Sequence, residues 1–351
     1  MEIIYINDNK EEFLKRWKEY IDNNIVYSRY IPLYIEYILL YAKHLINNKS
    51  FIVIENNSCV GICFLPIEQY ENKISVSVSG GYVISPLSTS KRIEKVIFKE
   101  IAEISKELNI QKVNFYLSPM ILEYKNKFNY LLEYNFIDTS TTNCLIDLKL
   151  EQNNLWKNLR KSYKALINSV LKNNEYEILI INNKTPNSNE IHGEYKILHE
   201  KCAGVTRGTE TFDKQFEMLQ RGFASIIGLK YKDKFIGISY FLHFKNTVVY
   251  MSGTDDPKYE NSKIPIYHVI LWSAILYFKE NNFDYFELSR PCGYNKINGF
   301  EDYLDEKQIN ISHFKRGMGT KMVPVFRGVK YYDNNLLIED IDIYKNKVLE
   351  N

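Results

Sequence analysis

The chain has 351 residues, 45% hydrophobic and 25% charged, which excludes a disordered or fibrous protein and describes an ordinary globular one. Forty-five basic against 43 acidic side chains leave a net charge of +2, which argues against DNA and other bulk nucleic-acid binding. The length exceeds one average core and suits two domains. Apolar runs such as Ile266–Phe278 are too short and too polar to span a bilayer. With no signal-like apolar start, a cytoplasmic protein without an integral membrane segment is expected.

Five scattered cysteines (Cys59, Cys63, Cys144, Cys202, Cys292) read as reduced thiols. Cys59 and Cys63, four apart on a predicted strand, are expected on one side of it. No second Cys/His pair stands at ligand spacing, so zinc is not expected.

In chain order, Glu2–Ile6 alternates as a strand. Lys10–Tyr20 places Phe13, Trp17 and Tyr20 at helical spacing, and Pro32–Leu45 reads as a second helix. Phe51–Glu55 and Ser58–Pro66 are strands joined by Asn56-Asn57, a good hairpin turn. Ile74–Val78 is a third strand before Gly80-Gly81. Ser88–Leu108 is an amphipathic helix with Ile93, Val96, Ile97, Ile101, Ile104 and Leu108 on its apolar face. A strand over Lys112–Leu117, a short helix over Pro119–Tyr130 and a strand over Thr141–Leu148 close the first half.

The second half opens with a helix over Leu155–Leu171, its outer face carrying Lys157, Arg160, Lys161 and Lys164. A strand over Glu177–Ile181 and helices over Glu190–Cys202 and Thr211–Arg221 follow. Three strands come next, Ala224–Tyr231, Lys234–His243 and Asn246–Gly253. A helix runs from Pro265 to about Lys279, proline being favoured at a helix start. Strands are predicted at Tyr285–Arg290 and Ile309–Lys315, with Val325–Tyr332 a further strand or loop.

This half repeats the first. Phe51-Ile52-Val53…Val60-Gly61-Ile62 matches Ile226-Ile227-Gly228…Ile236-Gly237-Ile238, and each glycine suggests a bulge or a close backbone approach. The predicted fold class is α/β (α+β), with mixed, mostly antiparallel sheets flanked by helices. Two domains are expected, 1–150 and 151–351, with a cleft between them.

Strand, small acidic loop, long helix containing Trp272, a strand ending in Glu287-Leu288-Ser289, then Phe314-Lys315 with glycines nearby resembles the C-terminal domain of FemAB-like transferases. That family has two tandem acetyltransferase-like (GNAT-like) domains and moves an aminoacyl or acyl group onto an amine. The resemblance covers about Leu155–Asp333, and over 1–150 it rests on architecture. It implies an N-acyltransferase acting on a cell-envelope or glycan precursor, with acyl-CoA or aminoacyl-tRNA as co-substrate and no bound cofactor. The expected partners are a small-molecule or nucleotide-linked acceptor and tRNA.

Acyl transfer to an amine needs stabilisation of the tetrahedral oxyanion, which a cation in a dry site supplies. Lys315 is the first candidate, since it matches the family's Phe-Lys position; a solvated lysine at a strand end is the plain alternative. Arg160 and Lys164, one helical turn apart, suit a diphosphate, or else form part of a solvated helix face. Arg207, between Gly204 and Gly208, is a comparable phosphate or carboxylate candidate. Asp255 and Asp256 are placed to orient the acceptor amine or take its proton, although Asp-Pro also makes ordinary turns. Glu287, on a buried strand, is a general base or a structural hydrogen-bond node. Arg290 and Tyr250 complete the predicted substrate-binding set. Cys202 and Cys292 lack the basic helix context of an activated thiolate, so direct attack by the amine is expected over an acyl-enzyme. No Gln/Arg-x-x-Gly-x-Gly/Ala loop opens a helix in either half, which favours the alternative of an inactive scaffold binding a nucleotide-sugar or protein partner.

Overall fold

The computed structural model describes residues 1–122 and 128–350. The chain forms two compact units, neither continuous in sequence. The first comprises Met1–Thr141, Asn295–Leu304 and Pro324–Asn351, and the second Thr142–Tyr294 and Asp305–Val323. The chain thus crosses over near residue 141 and returns twice, where the sequence reading placed two continuous stretches meeting near 150.

In the first unit, Asn9 caps the helix Lys10–Asn23 by accepting from the Glu12 N–H at 3.1 Å, and the helix buries Phe13, Trp17, Tyr20 and Ile21. The Phe51–Glu55 and Ser58–Cys63 hairpin turns on Asn56 and Asn57, both left-handed (φ 49° and 60°), as a type I′ turn requires. These strands lie in a four-stranded sheet with Glu2–Tyr5 and Leu87–Ser88. A seven-stranded sheet runs Ile137–Asp138, Arg327–Tyr331, Lys112–Tyr116, Lys73–Val76, Pro66–Tyr70 and Leu45–Asn48, with Val83–Ile84 also paired to Lys112–Tyr116. The returning segments are tied in by charge. Lys112 Nζ donates to Glu301 and, at 2.7 Å, to Asp340, and the Tyr331 hydroxyl donates to Asp340 at 2.6 Å.

Several expectations change here. The helix from Pro32 ends at Leu39, and Leu45–Asn48 is already a strand. Pro119–Leu122 is helical; the rest of the Pro119–Tyr130 expectation lies partly outside the described residues, and Tyr130–Tyr134 forms a 3-10 turn. The pairing slips beside Gly61, so Cys59 and Cys63 do not share a side: Cys59 is half-buried and Cys63 fully buried.

In the second unit a seven-stranded sheet runs Tyr176–Ile181, Ala224–Tyr231, Lys234–Phe244, Thr247–Asp255, Tyr285–Glu287, Thr141–Asp147 and Lys321–Val325. The helix Ile266–Glu280 buries Ile270, Trp272 and Phe278, and Trp156 packs on Trp272 with ring centroids 4.9 Å apart. The repeat shows at equivalent glycines. The register slips beside Gly61 and again beside Gly237, and a Cβ on either would run into isoleucines, Ile93 and Ile97 for Gly61, Ile266 for Gly237.

Three corrections matter for the site. Glu306–Arg316 is a helix, not a strand: Asp305 and Gln308 form a capping box, and this local signal overrides the strand-like alternation of Ile309 and Ile311. The expected helix Leu155–Leu171 is two, Gln152–Asn158 and Lys161–Leu171, because Leu159 and Arg160 are extended and the Arg160 N–H donates to Gly317 O at 2.9 Å. Val325–Tyr332 is covered by Lys321–Val325 and Arg327–Tyr331, and a helix over Asn334–Leu349 follows that the sequence reading missed.

Candidate active site

Parallel pairing between Thr247–Asp255 and Tyr285–Glu287 covers only Thr247–Val249. Beyond it the first strand runs on to Asp255, while the second turns away at Ser289, which is left-handed (φ 56°). The first strand also bulges at Met251, since Tyr240 pairs Ser252 and Phe241 pairs Tyr250. A bulge re-aims the side chains after it. Tyr250 and Gly253 consequently face the Ile266–Glu280 helix, whereas Ser252 faces the helix Ser188–Ala203.

On the first of these faces Lys315 lies in the last turn of Glu306–Arg316 and is 4% exposed. Its Nζ donates to Ser289 O at 3.1 Å and Arg290 O at 3.0 Å and stands 6.0 Å from the Tyr250 ring centroid. Burial pushes the ammonium below its ordinary pKa, against the opposing pull of Cys292, Cys144 and Glu287. Two of its three N–H groups thus hold the strand end open. Lys315 is neither at a strand end nor solvated.

Glu287 is buried and accepts from Asn143 Nδ2 at 2.8 Å. Cys144 and Cys292 flank Lys315; the bond from Cys292, with Lys315 and Arg316 nearby, holds the Cys144 thiol below its ordinary pKa, while that bond and burial push Cys292 up. A Cβ on Gly253 would meet the Tyr250 hydroxyl, the Tyr267 ring and the Ser239 hydroxyl, so glycine keeps the space in which these groups converge. Tyr267 donates to Asp255 Oδ1 at 2.8 Å, and burial pushes its phenol well up. Asp256 behaves as a turn residue, accepting from the Lys258 N–H at 3.0 Å.

On the other face Arg207 Nη2 donates to the Tyr195 hydroxyl at 3.2 Å and to Gln215 Oε1 at 2.9 Å, with its guanidinium 3.9 Å over the Phe212 ring. Tyr195 in turn bonds Ser252 Oγ at 2.5 Å. The Gln215 Nε2, His192 Nε2 and His199 Nδ1 atoms are buried without a hydrogen-bond partner. Burial and the Arg207 charge lower His192 to about 4, so it is neutral at pH 7. This is a cationic, donor-rich corner.

The structure therefore brings Lys315, Tyr250 and Glu287 together and places Asp255 at the end of the same strand as Tyr250. It does not bring in Arg160 and Lys164. Arg160 bonds His313 Nδ1 at 3.1 Å and His313 O at 3.2 Å, while Lys164 donates to Lys157 O at 3.0 Å. Because the helix breaks at Arg160, the two do not share a face. Arg290 contributes its carbonyl to Lys315. Missed by sequence reasoning were Tyr195, Gln215, Ser252 and Tyr267; nothing sets Tyr195 and Tyr267 apart among 28 tyrosines, and Ser252 is aimed by a bulge that no residue type marks. In the first unit the glycine turn Ser79-Gly80-Gly81 is already filled. Glu68 accepts from the Ser79 and Gly80 N–H groups at 2.8 and 3.0 Å.

No family model matches the sequence, and no curated protein matches it. Solved structures do. FemX is similar at a TM-score of 0.62 and 11% identity, over 97% of this chain and 99% of that one. The C-terminal domain of a lysylphosphatidylglycerol synthetase from Agrobacterium fabrum aligns at 0.61 and 10%, over 95% and 97%. The L-PGS of Bacillus licheniformis aligns at 0.57 and 12%, over 90% and 96%. A tandem GNAT protein from clavulanic acid biosynthesis aligns at 0.50 and 10%, over 94% and 98%. The chain has a FemAB-like, tandem GNAT fold.

Proposed function

We propose that the chain is an N-acyltransferase that moves an aminoacyl or acyl group onto an amine of a cell-envelope or glycan precursor, with the chemistry in the second unit. FemX and the lysylphosphatidylglycerol synthetases share this fold, which supports the reaction class. The observation that carries the reading is Lys315, a nearly buried cation held by two carbonyls where two parallel strands part, beside Tyr250. A positive charge in so dry a site suits a developing oxyanion.

In this scheme the acceptor amine attacks the carbonyl carbon of the donor. The new C–N bond forms, the C–O bond of a tRNA ester or the C–S bond of a thioester breaks, and the amine proton passes to a base and from it to the departing oxygen or sulfur. Asp255, at the strand end and oriented by Tyr267, fits that base better than Glu287, which is buried against Asn143. Arg207, with Tyr195 and Gln215, suits an anionic group of the acceptor. Asp255 and Asp256 crowd the start of the loop before Ile266–Glu280 with negative charge, and Glu68 fills the first unit's glycine turn. Both weigh against a CoA diphosphate at these turns, which leaves an aminoacyl-tRNA as the donor to test first.

The same filled turns support a second reading, an inactive scaffold that binds a nucleotide-sugar or a protein. Purified protein incubated with labelled aminoacyl-tRNAs, acyl-CoAs and a panel of amines separates the two. Label appearing on an amine, with tRNA as donor, is expected. No transfer from any donor, together with tight UDP-sugar binding, would establish the scaffold.

A further inference from the structure

The C-terminal helix Asn334–Leu349 is anchored on one side only. Leu336 is buried, Asp340 bonds Lys112 and Tyr331, and Tyr344 packs on Phe300 with ring centroids 5.6 Å apart. The opposite side exposes Ile338 (56%), Ile341 (47%), Val348 (46%) and Leu349 (73%). At 100° per residue these four form one stripe, with Lys345 inside it and Asp342 on its border. Isolated exposed apolar residues are ordinary, but four in one helical stripe with charges set among them form a surface suited to a partner.

We propose that this stripe is the contact face of a homodimer in which the helix packs antiparallel against the same helix of a second copy. The charge order selects that occupant. A two-fold axis between Ile343 and Tyr344 sets Ile338 opposite Leu349 of the second copy and Asp342 opposite Lys345 of the second copy, each twice, as a self-complementary interface requires. Along the stripe Asp342 precedes Lys345, while Glu339 is held by Lys73 at 2.6 Å and Lys347 lies over the Tyr303 ring. Antiparallel packing therefore pairs unlike charges, whereas parallel packing pairs like ones. An anionic membrane is the poorer occupant, because the helix carries three carboxylates (Glu339, Asp340, Asp342) and two lysines (Lys345, Lys347).

Sedimentation equilibrium of the full chain across a micromolar concentration range is the test. The expected result is a reversible monomer–dimer equilibrium. Ile341→Glu should weaken it by about tenfold or more, while the melting temperature measured at concentrations where both proteins are monomeric stays unchanged, since the site is exposed. Lys345→Asp should weaken dimerisation, and the double exchange Asp342→Lys with Lys345→Asp should restore it, because the exchanged charges again face each other. A chain that stays monomeric throughout overturns the proposal, as does a dimer indifferent to Ile341→Glu or a double exchange that fails to restore it. Monomers that co-sediment with phosphatidylglycerol vesicles, and lose that binding with Ile341→Glu, would give the stripe to a membrane instead.

Discussion

Replacing Lys315 with methionine keeps most of the stem and removes the charge. The wild-type Nζ supplies hydrogen bonds to Ser289 O and Arg290 O at 3.1 and 3.0 Å. Bonds from a charged donor contribute about 1.5–3 kcal/mol each, but the ammonium also bears the cost of its own burial. A net loss of about 2 kcal/mol at neutral pH is therefore expected. The pH dependence carries the sharper information. Burial lowers the folded-state pKa of Lys315 below that of the unfolded chain, about 10.4 for a lysine. Between those two values the unfolded chain binds more protons, so stability rises with pH there, by about 1.4 kcal/mol per unit of separation. Chemical denaturation of both proteins from pH 7 upward measures the difference, in which the titrations of the other lysines and tyrosines cancel. Wild type should gain on Lys315→Met as pH rises through that window. A difference that stays flat or shrinks would refute the buried-ammonium account.

The other predictions bear on the two units separately. Lys112→Met leaves Glu301 and Asp340 without their cation and should cost about 3 kcal/mol in a denaturant titration. Burial alone would raise the Asp340 carboxyl, but the bonds from Lys112 and Tyr331 outweigh it and hold its pKa low, so this stability is present above the unfolded value and lost as pH falls through the folded one. Acid unfolding of Lys112→Met should therefore lack the wild-type loss in that acidic window. Gly237→Val drives a side chain into Ile266 and should destabilise by about 1–3 kcal/mol, read as a lower denaturation midpoint. Arg207→Lys keeps the charge but loses the Nη2 contacts with Tyr195 and Gln215 and the flat guanidinium over Phe212; it should raise KM for an anionic acceptor more than it lowers kcat, measured by steady-state kinetics.

Much of this architecture is written in local patterns. The Asn56-Asn57 turn, the apolar face of Lys91–Glu107 and the paired glycines Gly61 and Gly237 each follow from backbone or packing demands that specific residue types meet. Lys315 is singled out by the sequence as a candidate, yet its element is not legible there: Ile309 and Ile311 alternate like a strand, and the Asp305–Gln308 capping box outweighs them. The break at Arg160 is set by a long-range bond to Gly317, and no spacing within the helix reports it. The Arg207 corner draws Tyr195, Gln215 and Ser252 from two helices and a bulged strand, so it exists only after folding. The returning strand Arg327–Tyr331 reads from sequence as a strand or a loop, and its place beside Lys112–Tyr116 is a matter of topology.

The most direct measurement of the central claim is the single-turnover rate of aminoacyl transfer from tRNA to an amine acceptor, compared among wild type, Lys315→Met and a control, Lys321→Met. Lys321 is exposed on the neighbouring strand and makes no contact in the proposed site. With all three confirmed folded at the assay temperature, Lys315→Met should lose about 10²–10³-fold in rate, the usual effect of removing one oxyanion donor, and Lys321→Met should keep the wild-type rate. Equal rates for wild type and Lys315→Met would contradict a reaction centred where the two strands part.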